Sequence, residues 1–134
     1  LSGMYNLKIL TAVNCNLASL NTLAVMMLTI LKISNSKQLK SMNVWGQNIT
    51  SVNASNATLL SSFYFDSSLG NLRSIDISGT ALSLVFVTHL ESKWASRSGM
   101  DTGVFRLNKA LYEQMSSELR AKYTNKNITF DIVE

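Results

Sequence analysis

The stretch LASLNTLAVMMLTILKI, residues 17–33, decides how the chain is read. Leu20, Leu23, Ala24, Met27, Leu28 and Leu31 recur at steps of three and four residues, the spacing of one helix face. Val25, Met26 and Ile30 extend the apolar character nearly all round, so the expectation is a deeply buried helix. A membrane span is the sharper alternative. It needs about 20 mostly apolar residues, and this stretch is broken by Ser19, Asn21, Thr22, Thr29 and Lys32.

Before it, residues 4–13 alternate. Tyr5, Leu7, Ile9, Thr11 and Val13 share one side, as in a half-buried strand, and residues 14–16 supply turn and N-cap chemistry. After it, residues 34–68 are rich in Ser, Asn, Thr and Gln. Short strand-like pieces stand at 42–45 and 63–65, with a loop over 53–58 between them. Ile75 and Ile77 alternate with polar neighbours, a Ser78-Gly79-Thr80 turn follows, and residues 81–90 form a run with strand character. Two strands about a Gly-containing turn read as a hairpin, and apolar side chains on both faces of 81–90 make it a central strand. Residues 106–123 carry a helical stripe of Leu107, Ala110, Leu111, Met115 and Leu119, with Lys109/Glu113 and Glu118/Lys122 spaced to pair outside. Ile128, Phe130 and Ile132 then alternate as a closing strand.

No internal repeat is read in this order, nor a linker long enough to separate domains. The pattern predicts an α+β fold: a mainly antiparallel sheet with two principal helices packed against it, over a single domain of residues 1–134. A chain of 134 residues with 46% apolar and 15% charged side chains can build a core, and intrinsic disorder is excluded. The single cysteine, Cys15, forbids an internal disulfide and favours a reducing compartment. Asn-x-Ser/Thr triplets stand at Asn48, Asn53, Asn56 and Asn127, close to what so much Asn, Ser and Thr yields by chance, and are read as an accident of composition. The sequence opens on Leu1 without a basic, then apolar, leader, so no signal peptide is read and a preceding arm is expected.

The net charge of +4 is unevenly placed. Lys8, Lys32, Lys37 and Lys40 precede the first carboxylate, Asp66, so the excess belongs to the first half. Lys32, Lys37 and Lys40 are the candidate contacts to an anionic surface, either nucleic acid phosphate or a membrane headgroup layer. The plainer reading has them at a helix C-terminus, where cations are favoured. Trp45, Trp94 and Arg97 are candidate self-association residues, because Trp and Arg concentrate at interface hot spots; a core role for each Trp is the alternative.

Reactive machinery is sparse. His89 is the only histidine, so the common zinc patterns cannot be built within the chain. A Cys15–His89 nucleophile pair is conceivable, but no orienting third group is identifiable. Gly70, Gly79, Gly99 and Gly103 form no phosphate cradle. No cofactor, metal or small-molecule substrate is expected. Three function classes follow: a non-enzymatic assembly protein, a nucleic-acid-binding module using the lysines, or a small enzyme using Cys15 or His89.

In its order of elements the chain resembles the globular core of a rhabdovirus matrix protein. The resemblance rests on a strand at 4–13, a packed helix at 17–33, irregular sheet, a long strand at 81–90, a helix at 106–123 and a final strand at 128–133. It implies self-association, binding to a ribonucleoprotein nucleocapsid, and attachment to an anionic membrane. The setting would be the host cytoplasm, the inner face of the membrane and the virion. The proline-rich late motif of many members is missing, since the chain has no proline, so recruitment of budding machinery does not carry over.

Overall fold

Asn14, Asn35, Asn56 and Gly79 all hold left-handed backbone, with φ of 58°, 59°, 60° and 71°. Asparagine is among the few non-glycine residues that take this conformation at modest cost, and glycine takes it freely. In the computed structural model, which describes residues 3–96 and 101–134, these four residues mark the same corner of successive coils. Each corner follows a short strand: β1 (Ile9–Thr11), β3 (Ile30–Lys32), β5 (Ser51–Asn53) and β7 (Ser74–Asp76). These strands are parallel neighbours in register, with Ile9 beside Ile30, Ile30 beside Ser51 and Ser51 beside Ser74.

The opposite side of each coil carries a second set of parallel strands: β2 (Ser19–Asn21), β4 (Ser41–Val44) and β6 (Ser62–Phe65). After β7 a helix, α1 (Leu84–Lys93), stands where a fourth strand of that set would lie. The first set then continues through β8 (Gly103–Asn108), α2 (Lys109–Gln114), α3 (Ser117–Thr124) and β9 (Ile128–Val133). The outcome is a parallel solenoid with a six-stranded sheet A, β1-β3-β5-β7-β8-β9, and a three-stranded sheet B, β2-β4-β6.

Side-chain parity builds the core. From sheet A, Leu31, Val52, Ile75 and Phe105 point inward and are buried. From sheet B, Leu20, Met42, Phe63, Val44 and Phe65 do the same. Such stacking is the only way a single coil can bury its apolar edge, since each coil leaves both flanks open without neighbours. At the first corner Cys15, Ser36, Ala57 and Thr80 stack as small residues under the bend. There the Cys15 N–H donates to Ser36 Oγ (3.3 Å) and the Ser36 hydroxyl to the Ala12 carbonyl (2.8 Å). The C-terminal end is filled by aromatic rings: Trp94, Phe105, Tyr123 and Phe130 lie in a chain of tilted and edge contacts.

Several sequence expectations are corrected here. The fold is α/β with parallel sheets, not α+β with an antiparallel one. Residues 17–33 form no helix; they contain β2, a turn and β3. Leu20, Val25, Leu28 and Leu31 are buried as the inward points of a coil, and Met26 and Met27 face outward. Residues 81–90 are not a central strand: Ser83 caps α1 by accepting from the Val85 N–H. The helix expected over 106–123 begins as the end of β8 and is split in two at Met115. The strand of 4–13 shortens to β1, while the pieces near 42–45 and 63–65 and the closing strand are found as β4, β6 and β9. The element order behind the rhabdovirus matrix resemblance is therefore not the order found. Among the described residues no helix is long and apolar enough to cross a membrane.

Candidate recognition face

Because strand side chains alternate, the residues flanking each inward position of sheet A point out together. One outward row is Ile9, Ile30, Ser51, Ser74, Val104 and Thr129; the other is Thr11, Lys32, Asn53, Asp76, Arg106 and Asp131. Each strand contributes one residue to each row, and all of them are exposed or half-exposed.

The second row alternates in charge toward its C-terminal end. The Asp76 carboxylate is oriented from below: its Oδ1 accepts the Ser78 N–H (2.9 Å) and hydroxyl (2.6 Å). Its Oδ2 lies 3.6 Å from Arg106 Nε, while Arg106 Nη1 reaches Asp131 Oδ2 at 2.7 Å. The guanidinium is thus held along the sheet between two carboxylates. Exposed pairs of this kind are worth about 0–1 kcal/mol to stability, so their consequence is a fixed pattern of charge rather than a tighter fold. A shallow groove of about 200 Å³ runs over Ser51, Ser74, Asp76 and Arg106, and the Ser74 hydroxyl meets that of Ser51 at 3.3 Å.

The candidate residues separate. Lys32 stands on the outward row of sheet A. Lys37 lies in the corner after Asn35, and Lys40 leads into β4 on the sheet B side, its N–H donating to the Ala18 carbonyl (2.9 Å). All three are exposed, but they are spread around one coil and do not form a cluster. Trp45 is half-buried just after β4. Trp94 is fully buried at the end of α1, its Nε1–H donating to the Leu72 carbonyl (3.0 Å), so it belongs to the core and not to a contact surface. Gly103 has to lack a side chain, since a Cβ there would come 2.8 Å from the Trp94 ring. Arg97 lies outside the described residues.

Cys15 and His89 are not brought together. Cys15 sits in the corner of the first coil. His89 lies on α1, its Nε2 accepting the Phe65 N–H at 3.0 Å and its ring stacked on Tyr64 at 4.6 Å. That bond requires neutral imidazole. Burial first, and the neighbouring Lys93 ammonium second, hold the His89 pKa below its ordinary value. Elsewhere Tyr123 donates its hydroxyl to the Val87 carbonyl (2.6 Å), and burial followed by the Glu91 charge pushes its phenol up. Lys126 closes the C-terminal end of α1, donating to the Glu91 and Trp94 carbonyls and pairing with the Glu91 carboxylate at 3.2 Å. Among the described residues no group of three or more His, Cys, Asp or Glu side chains is placed to hold a metal ion.

The outward rows carry a signal that residue-by-residue reading missed. Thr11, Lys32 and Asn53 follow one another at the spacing of the left-handed asparagines, so a search for one-per-coil positions would have found them. No protein-family model matches this chain, and neither a curated protein nor a solved structure matches it.

Proposed function

We infer that this chain is a non-enzymatic recognition domain whose sheet A face docks on the surface of a partner protein. The observation that carries the reading is the in-register outward row, one side chain per strand, ending in the Asp76–Arg106–Asp131 alternation. Parallel solenoids create extended surfaces whose outward positions are free of the folding constraint. A flat, polar, hydroxyl-floored face with a fixed charge pattern offers orientation and specificity, which complementary charge supplies more readily than raw affinity. Toward its other end the second row carries Lys32, which precedes every carboxylate of the chain, so the complementary surface carries acidic groups there. The separate placement of Cys15 and His89 supports a role without covalent chemistry.

The test is site-directed photocrosslinking in the native cell. A benzophenone side chain replaces Ser74 on the face or Lys122, exposed in the last turn of α3. The expected result is one discrete adduct from position 74, none from position 122, and loss of the adduct when Lys32→Glu and Arg106→Glu are added. Adducts that form equally from both positions, or that survive both charge reversals, would overturn the reading.

A further inference from the structure

Sheet B stops after three strands while sheet A runs to six, so β6 has an outer edge that no strand among the described residues meets; just before it, the Leu60 carbonyl accepts the Ala81 N–H (2.9 Å). In β6 the N–H groups alternate. Ser62 and Asp66 donate back to β4, at the Lys40 and Val44 carbonyls, which turns the Phe63 and Phe65 N–H groups outward. His89 meets one of them: its Nε2 takes the Phe65 N–H at 3.0 Å, where the carbonyl of a further strand would otherwise stand. Phe86, one turn earlier on α1, stacks on the Phe63 ring at 5.2 Å but offers no acceptor to the Phe63 N–H. Among the described residues no acceptor meets that group.

Beside Phe63 the wall of α1 draws back from β6 and leaves an open cleft of about 330 Å³. Ser61, Ser62 and Tyr64 form its strand side, and Ser83, Val85 and Phe86 its helix side. Its mouth carries large apolar groups: Val85 is 81% exposed and Tyr64 45% exposed. An exposed strand edge is a ready template for another chain, and folds normally blunt it with charge, proline or a covering element. Here the covering by α1 is complete at Phe65 and incomplete at Phe63; Ser61, Ser62 and Tyr64 carry no charge themselves, and the Lys93 ammonium stands 5.9 Å from the Tyr64 ring centre.

We propose that this cleft receives an extended segment of a partner protein as an added strand beside β6. A backbone carbonyl of the segment accepts the Phe63 N–H, and one apolar side chain fills the space between Val85 and Tyr64. Main-chain bonds to a sheet edge give such complexes affinity, and the pocket for alternate side chains gives them selectivity. His89 sets where the segment ends, because its imidazole already occupies the Phe65 N–H. The site is distinct from the sheet A face and stands whether or not that face binds.

The experiment uses the intact chain and a phage-displayed heptapeptide library as the probe. Selected peptides are synthesised and titrated into isotope-labelled protein. The expected result is enrichment of sequences with β-branched residues, amide shifts centred on Phe63 and Tyr64, and affinity at least tenfold weaker for Val85→Arg. Val85 is outward-facing, so that variant keeps its fold; Tyr64→Ala gives a second, independent loss. No enrichment over an uncoated surface, equal binding by Val85→Arg, or shifts centred on Asn53 and Arg106 instead would each overturn the proposal.

Discussion

Leu28 and Met26 lie two residues apart in the stretch that reads as a buried helix, and the solenoid gives them opposite fates. Leu28 is fully buried and Met26 is 55% exposed. Truncating Leu28 to Ala removes three carbons from the packed interior, for which core Leu→Ala changes cost about 2–5 kcal/mol. Leu28 also stands under the Ile49 and Leu72 positions of the next two coils, both buried, so little can collapse into the space and the upper half of that range is expected. Met26→Lys places a charge in water and leaves its carbonyl free to keep accepting the Asn48 side-chain amide (2.8 Å); a change of within about 0.5 kcal/mol is expected. Equilibrium urea unfolding followed by circular dichroism measures both. With a slope of about 1–3 kcal/mol per molar for a small protein, Leu28→Ala should lower the midpoint by about 1–5 M, and Met26→Lys should leave it nearly in place. If Met26→Lys destabilises as much as Leu28→Ala, residues 17–33 are buried all round and the coil geometry is wrong.

Three further outcomes follow from single sites. Gly79→Ala should destabilise by at least about 1–2 kcal/mol, the cost of a left-handed Cβ, because φ is +71° and the new atom would stand 2.5 Å from Asn56 Oδ1; thermal unfolding checks it, and a gain would show the position to be right-handed. For His89 the folded pKa lies below the unfolded value of 6.5. Both states are therefore neutral above that pH, and below it the unfolded chain takes up the proton first. Stability should thus fall as pH drops through 6.5, and urea midpoints from pH 7.5 to 5.5 should lose that slope in His89→Gln. Trp94→Phe should cost about 1–3 kcal/mol for the buried hydrogen bond it gives up, with the remaining fluorescence of Trp45 reporting the same cooperative transition.

What the sequence disclosed depended on how local the signal was. The pieces that became β4, β6 and β9 alternate over four to six residues, and alternation is a property of the strand itself. The stretch 17–33 misled because a coil of about this length turns inward at Leu20, Val25, Leu28, Leu31 and Ile33, and steps of three within that series coincide with helical spacing. Parallel pairing is invisible locally: Ile30 meets Ile9 and Ser51 only once the coil length is known. The repeat was present in Asn14, Asn35 and Asn56, but Gly79 replaces asparagine in the fourth coil, and the coil before it is two residues longer. The strand-to-helix exchange at α1 was hidden for a different reason. Residues 84–90 are rich in β-branched and aromatic side chains, and only the Ser83 cap and the packing on β6 turn them into a helix. Of the candidate site, Lys32 alone was singled out in the sequence; Asp76 and Arg106 were not, because only the parallel pairing of β7 and β8 brings them together.

The same alternation that builds the core leaves the outward rows chemically open. Inward, Leu31, Val52, Ile75 and Phe105 are all apolar, because each must bury against the coil above and below. Outward, their immediate neighbours Lys32, Asn53, Asp76 and Arg106 differ at every strand; Asn53 and Asp76 each accept a backbone N–H of the following turn, from Ser55 (3.0 Å) and Ser78 (2.9 Å), and Arg106 is held only by exposed ion pairs. Fold and recognition thus occupy opposite parities of the same strands. Sheet B is different in kind: its third strand ends against α1, where Phe86 and His89 bind the edge to the core. A change on the sheet A face alters what the molecule touches, whereas a change beside β6 alters both what it touches and how the solenoid is closed. That asymmetry is why the variants chosen for the cleft are the outward Val85 and Tyr64 and not the buried Phe63.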